Sequence, residues 1–75
     1  MPKYSVDFIL HIQDATVEIV KNSIREFGDD LEVRELPGGD AAKGRNLNIH
    51  IRTEDPTIVF DICAEFGRIK TVKIL

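Results

Sequence analysis

Ser5, Asp7, His50 and Arg52 are the residues whose types could do chemistry. A serine, an aspartate and a histidine are the ingredients of nucleophilic hydrolysis. That chemistry also needs a base oriented by a third group and donors aimed at the developing oxyanion. The setting of the residues therefore decides the matter. All four fall inside alternating apolar–polar runs, and a flat strand face offers no oxyanion hole. They read instead as polar pairs across neighbouring strands. His11 and His50 are the only histidines, and Cys63 is the one cysteine. A zinc site takes about three or four protein ligands. The histidines fall toward opposite ends of their face, and Cys63 falls on a helical apolar stripe, so no metal is expected to bind. Cys63 reads as a small buried hydrophobe. The segment from Pro37 to Arg45 is rich in glycine but lacks phosphate-loop spacing. It leads into a strand, not into a helix N-terminus.

The elements that must position these residues follow from periodicity. Tyr4, Val6, Phe8, Leu10 and Ile12 alternate with Ser5, Asp7, Ile9 and His11, which predicts a strand. Val17, Val20, Ile24 and Phe27 recur at helical spacing. Asp14 or Thr16 is the expected N-cap, and Gly28 is expected to end the helix in the left-handed conformation. Leu31–Leu36 is a short charged strand suited to a sheet edge. Leu47, Ile49 and Ile51 alternate with Asn46, Asn48, His50 and Arg52 in a third strand. Asp55-Pro56 is a helix start, with aspartate as cap and proline in the first turn. Ile58, Val59, Ile62, Cys63 and Phe66 form that helix's stripe. Gly67 stops it, and Ile69–Leu75 closes the chain as a strand.

The two halves align at an offset of 39 residues, with Glu26-Phe27-Gly28 matching Glu65-Phe66-Gly67. Two similar β-α-β halves predict an α+β ferredoxin-like plait, βαββαβ. The expected sheet is four-stranded and antiparallel in the order 4-1-3-2, with both helices on one face. The expected core is Phe8, Leu10, Val20, Ile24, Phe27, Ile49, Ile51, Val59, Ile62 and Phe66. The other face stays open. Asp7, Ile9, His11, Asn48, His50 and Arg52 should form it, with Arg52 pairing with Asp7 within the chain or across to a partner and Ile9 as its apolar centre.

Composition narrows the function classes. At 75 residues the chain is expected to be a single domain, residues 1–75, with little room for a deep internal cavity. A net charge of −3 argues against nucleic acid or an anionic membrane as partner. RNA-binding domains of this topology stack bases on aromatics of the central strands, and the third strand here has none. No apolar run is long enough to cross a membrane and no signal peptide is visible, so a cytoplasmic location is expected.

Four stretches carry a resemblance. Tyr4-Ser5-Val6-Asp7-Phe8-Ile9-Leu10 is similar to a strand reading aromatic-Cys-x-acidic-Phe-hydrophobic-Leu. Phe27-Gly28-Asp29-Asp30-Leu31-Glu32-Val33 is similar to a Gly-Asp-Ser-Leu-Val-Val stretch. Asn48 to Pro56 resembles a Val-His-Val-His-Thr-x-Asp-Pro motif, the most specific of the four. Phe66-Gly67-Arg68-Ile69 resembles an aromatic-Gly-x-hydrophobic close. Together they resemble, collinearly over residues 4–75, the middle domain of the fatty-acid kinase ATP-binding subunit, of the dihydroxyacetone-kinase-like family.

The resemblance implies a domain lying between a nucleotide-binding kinase domain and a C-terminal domain. It also implies a metal site at positions 5, 50 and 52. Only His50 is kept. Ser5 stands in place of the cysteine and Arg52 in place of the second histidine, which leaves a degenerate site. The long glycine-rich loop is a further departure. No residue matches the family's catalytic machinery. The expectation is a non-catalytic interaction or interdomain module without cofactor, paired as a homodimer or against a kinase domain. The rival is a small-molecule-sensing regulatory module of the ACT type. A glycine-rich first turn is usual there, and Ile12-Gln13-Asp14-Ala15-Thr16 lacks one.

Overall fold

A computed structural model describes residues 3–37 and 43–75. Strand β1 (Tyr4–Ile12) leads to helix α1 (Val17–Ile24) and a single 3₁₀ turn over Arg25–Phe27. Strand β2 (Asp29–Glu35), strand β3 (Arg45–Thr53), helix α2 (Pro56–Ala64) and strand β4 (Gly67–Ile74) follow. The sheet runs β2-β3-β1-β4, which is the predicted 4-1-3-2 order counted from the opposite edge. Every pairing is antiparallel. Most of the glycine-rich connection, residues 38–42, lies outside the described residues.

Alternation builds the core. Val6, Phe8, Leu10 and Ile12 of β1 lie opposite Ile51, Ile49, Leu47 and Arg45 of β3. Apart from Arg45, these residues are essentially inaccessible to water. Val20 and Ile24 of α1, and Val59 and Cys63 of α2, close over the same face and join the same apolar cluster. Phe8 meets Phe60 edge to face at a centroid distance of 5.4 Å, a favoured aromatic geometry. Ile62 and Phe66 pack against the cluster while half-buried. Burial pushes the Cys63 thiol up to about 12, which keeps it protonated and unreactive at neutral pH.

The helix ends are capped locally. Thr16, not Asp14, is the cap of α1, its hydroxyl accepting from the Ile19 amide at 3.2 Å. The Asp55 carboxylate accepts from the Thr57 amide at 3.1 Å, with Pro56 in the first turn of α2. Thr53 ties three elements together. Its hydroxyl donates to the Phe27 carbonyl at 2.7 Å and accepts from the Asp55 amide at 3.1 Å. At 1% exposure it is the one buried polar residue among those described, and both capacities of its hydroxyl are used.

Two expectations are corrected. Phe27 is 41% exposed, not core. After Ile24 the chain tightens to about three residues per turn, so Phe27 rotates off the stripe that Val20 and Ile24 begin. Gly28 is not left-handed: its φ of −173° and ψ of −179° are fully extended. Its glycine is needed for close approach, because a Cβ there would stand 2.4 Å from the Arg52 carbonyl oxygen. β2 thereby enters hard against the end of β3.

Phe8 is the largest fully buried side chain at the centre of the sheet. Phe8→Ala should cost about 3–5 kcal/mol, which approaches the whole stability of a small domain. Urea denaturation followed by circular dichroism should show little folded baseline for this variant.

Candidate open-face site

The unbroken β1–β3 register builds the open face. Ser5 lies opposite Arg52, Asp7 opposite His50, Ile9 opposite Asn48 and His11 opposite Asn46. These residues alternate with the buried ones, so they share the face that the helices leave uncovered. Except for exposed Arg52, they are half-buried. The sequence-predicted face residues Asp7, Ile9, His11, Asn48, His50 and Arg52 are therefore brought together, with Ser5 beside them.

Of the two expected pairings of Arg52 with Asp7, within the chain or across to a partner, the one within the chain is not formed: the Arg52 guanidinium lies 3.7 Å from the Asp30 carboxylate, while His50 Nδ1 donates to Asp7 Oδ1 at 3.2 Å. The physical reason is register. Asp7 lies directly across from His50, whereas β2 bulges next to the end of β3. The β2–β3 register shifts between Asp29 and Glu32. Asp30 takes a left-handed φ of 54° there, a conformation aspartate tolerates better than most residues. The extra residue turns the Asp30 carboxylate toward Arg52.

His11 is held at the far end of the face. Its Nε2 lies 3.0 Å from the Lys43 carbonyl oxygen, which can only accept. In the neutral ring Nε2 therefore carries the proton. Nδ1 lies 3.0 Å from Asn46 Oδ1, and in the neutral ring it accepts a hydrogen bond there only with the carboxamide turned over to present its NH₂.

Sequence reasoning missed the contribution of β4. Arg68 lies opposite His11, Lys70 opposite Ile9 and Lys73 opposite Asp7. All three are therefore on the open face. Lys70 and Lys73 are three apart, an odd spacing that strict alternation would put on opposite faces. A bulge restores them to one face: the β1–β4 register shifts between Asp7 and Ile9, and Thr71 takes a left-handed φ of 53°. One row now crosses all four strands, running Glu32, His50, Asp7 and Lys73. The face carries Arg34, Arg52, Arg68, Lys70 and Lys73 against Asp7, Asp29, Asp30 and Glu32, with Asp29 also paired to Lys3. It is thus cationic on a chain of net charge −3. Arg68, Lys70 and Lys73 make no ion pair with any described residue.

The metal-ligand test fails on donor chemistry. A serine hydroxyl is a poor zinc ligand, and an arginine stays protonated and can only donate. Among the described residues no group of three His, Cys, Asp or Glu side chains is placed to hold a metal ion. No helix of the described residues is long and apolar enough to cross a membrane.

A four-stranded antiparallel sheet with two helices on one face and a polar opposite face defines a ferredoxin-like α+β plait. Within that class the chain belongs to a named family: residues 1–75 match the family model for the middle domain of FakA-like fatty acid kinase proteins. The resemblance read from the four sequence stretches is thereby confirmed at the level of the family. No curated protein and no solved structure matches the chain.

Thr71 supplies a test of the bulge. A β-branched residue at left-handed φ is strained by roughly 1–2 kcal/mol. Thr71→Gly should keep the fold and raise the unfolding free energy by about 1 kcal/mol, read from the urea midpoint. A stability loss would mean that the bulge does not sit at Thr71.

Proposed function

We propose that the chain is a non-catalytic interaction module of a fatty acid kinase-like protein, working through its open sheet face. The observation that carries this reading is the cationic, partly apolar face opposite a complete core. The helix-side cluster needs nothing from the open side, so the face is free to be specified for contact. Ile9 sits half-buried at its centre, between Asn48 and Lys70 in register. The surrounding charges would fix orientation, and Ile9 would be the dry centre.

The partner is a second copy or an adjoining kinase domain. The charge arrangement limits how a second copy could dock. A two-fold axis along the strands would lay β4 of one copy over β2 of the other, with Lys73 over Glu32 and Lys70 over Arg34. An adjoining domain would need an acidic contact surface.

Support for a non-catalytic role comes from what phosphoryl transfer demands. It needs a phosphate cradle and carboxylates that hold Mg²⁺. Asp7 is engaged by His50 and Asp30 by Arg52, and the open face offers no cradle of backbone amides. At the degenerate metal position, Arg52 supplies a permanent positive charge without an ion.

Two measurements test this reading. Ile9→Lys should leave the circular dichroism spectrum unchanged, because Ile9 points away from the core, and should abolish association seen by sedimentation equilibrium. A wild type that is monomeric, alone and when mixed with the adjoining kinase domain, would overturn the open-face reading. Separately, Ser5→Cys combined with Arg52→His should create a zinc site of one cysteine and two histidines. Zinc should then raise the melting temperature of the double variant and not that of the wild type. Stabilisation of the wild type by zinc would overturn the account of the degenerate site.

A further inference from the structure

The exposed apolar side chains are not scattered. Among the described residues, Tyr4, Phe27, Ile58, Val72, Ile74 and Leu75 belong to the half of the molecule where β1 starts and β4 finishes. Ile19 alone of the strongly exposed large ones stands at the other end. Their faces follow from register. Leu75 exchanges backbone hydrogen bonds with Ser5, so it points to the open side. Ile74 lies opposite Val6, so it points to the helix side, and Val72, two residues earlier, shares that side. Tyr4 alternates in phase with Val6 and lies there too. The helices leave these three uncovered: Tyr4, Val72 and Ile74 are each 46% exposed.

The helix-side residues join into one surface. Phe27 and Ile58 wall a cleft of about 310 Å³ whose lining also includes Lys3 and Thr53. Thr53 lies opposite Tyr4, and its hydroxyl holds the Phe27 carbonyl. Ile74 is the diagonal neighbour of Tyr4 across the β1–β4 ladder. The surface therefore runs from Phe27 and Ile58 through Tyr4 to Ile74 and Val72, across the ends of β3, β1 and β4. Single exposed apolar residues are ordinary, whereas a continuous patch marks a contact site. Thr53 at the cleft offers nothing to a polar ligand, since its hydroxyl is already used as donor and acceptor. The rim is acidic. Asp29 is paired with Lys3 and Asp55 caps α2. Glu26 and Glu54 line the same cleft and form no ion pair with any described residue.

We infer that this patch docks an amphipathic helix of a partner protein, with one apolar residue per turn on the patch and lysine or arginine on the flank that meets Glu26 and Glu54. Spacing carries the helix. Neighbouring strands stand about 4.8 Å apart, and a helix advances about 5.4 Å per turn. A helix laid across the strand ends thus sets successive anchors beside Phe27 and Ile58, then Tyr4, then Ile74. The acidic rim selects a basic flank and repels an anionic membrane. A second copy offers no such helix, because the apolar stripes of α1 and α2 are buried in their own core. The site goes beyond the open-face reading and stands or falls separately from it, since Ile9 and His50 lie on the other side of the sheet.

The test is titration of the ¹⁵N-labelled 75-residue chain with an end-blocked helical model peptide of leucine and lysine, its leucines in one stripe. Saturable amide shifts are expected at Tyr4, Phe27, Ile58, Val72 and Ile74, and none at Ile9 or Ile19. A peptide with glutamate in place of every lysine, and one of the same composition with the stripe scrambled, should each bind roughly tenfold or more weakly. Ile58→Lys and Ile74→Lys should each weaken the leucine–lysine peptide by roughly tenfold or more, the loss expected for one apolar anchor, with the dispersed spectrum as the control for folding. The proposal would be overturned by no saturable shift at millimolar peptide, or by shifts centred on the open face. Equal binding of the glutamate or scrambled peptide, or wild-type binding by either variant, would also overturn it. Concentration-dependent shifts of the same residues in the chain alone would do so too, because the occupant would then be a second copy.

Discussion

The β1–β3 ladder is the interaction on which the rest of the structure depends. It pairs nine residues of each strand without a register break. Because side chains alternate with a period of two, that single register decides both faces at once. It brings Val6, Phe8 and Leu10 against Ile51, Ile49 and Leu47 on the helix side. It also brings Ser5, Asp7, Ile9 and His11 against Arg52, His50, Asn48 and Asn46 on the other. A slip of one residue would turn one strand over relative to the other and drive either Asp7 or His50 into the apolar cluster, so the buried face guards the geometry of the open one. The Asp7–His50 contact is a by-product of packing on the opposite side of the sheet.

The two edge strands obey a looser rule. β2 and β4 each carry one extra residue in left-handed conformation, Asp30 and Thr71. The bulges change which side chains reach the open face. They set Asp29 opposite Arg52 on one edge and Lys73 opposite Asp7 on the other, and so shape its charge pattern. Bulges and charges also discourage an edge strand from pairing with stray chains. The same residues thus serve colloidal behaviour and face chemistry, and the two roles are not separable by inspection of either strand alone.

This division explains what was legible in the sequence. Regular periodicity announced the central strands, both helices, the sheet order and the composition of the middle of the open face. The cap at Asp55 with Pro56 was readable because capping is local. The misreadings all fall where periodicity breaks. Phe27 continues the helical spacing on paper, but the 3₁₀ turn ends the helix one step early. Gly28 looked like a left-handed stop, yet its glycine answers the Arg52 carbonyl, a neighbour 24 residues away in sequence. The Asp30 partner of Arg52 within the chain went unread because no periodic argument can foresee the bulge at the start of β2. Lys70 and Lys73 went unnoticed for the same reason, their odd spacing hiding a shared face.

The strand order also has a kinetic side. β1 pairs with β3 and β4 and never with β2, its nearest strand in sequence. Its two partners begin at Arg45 and Gly67, so both of its ladders close long loops. Such non-local pairing slows folding, because chain entropy is lost before contacts reward it. β2 and β3 are consecutive and can meet first as a hairpin. β1, the most apolar strand, must wait for β3 on one side and for the later-made β4 on the other. During synthesis its second edge stays open until Gly67–Ile74 has emerged. The strand that anchors the finished sheet is therefore the one longest exposed to wrong partners while the chain is being made.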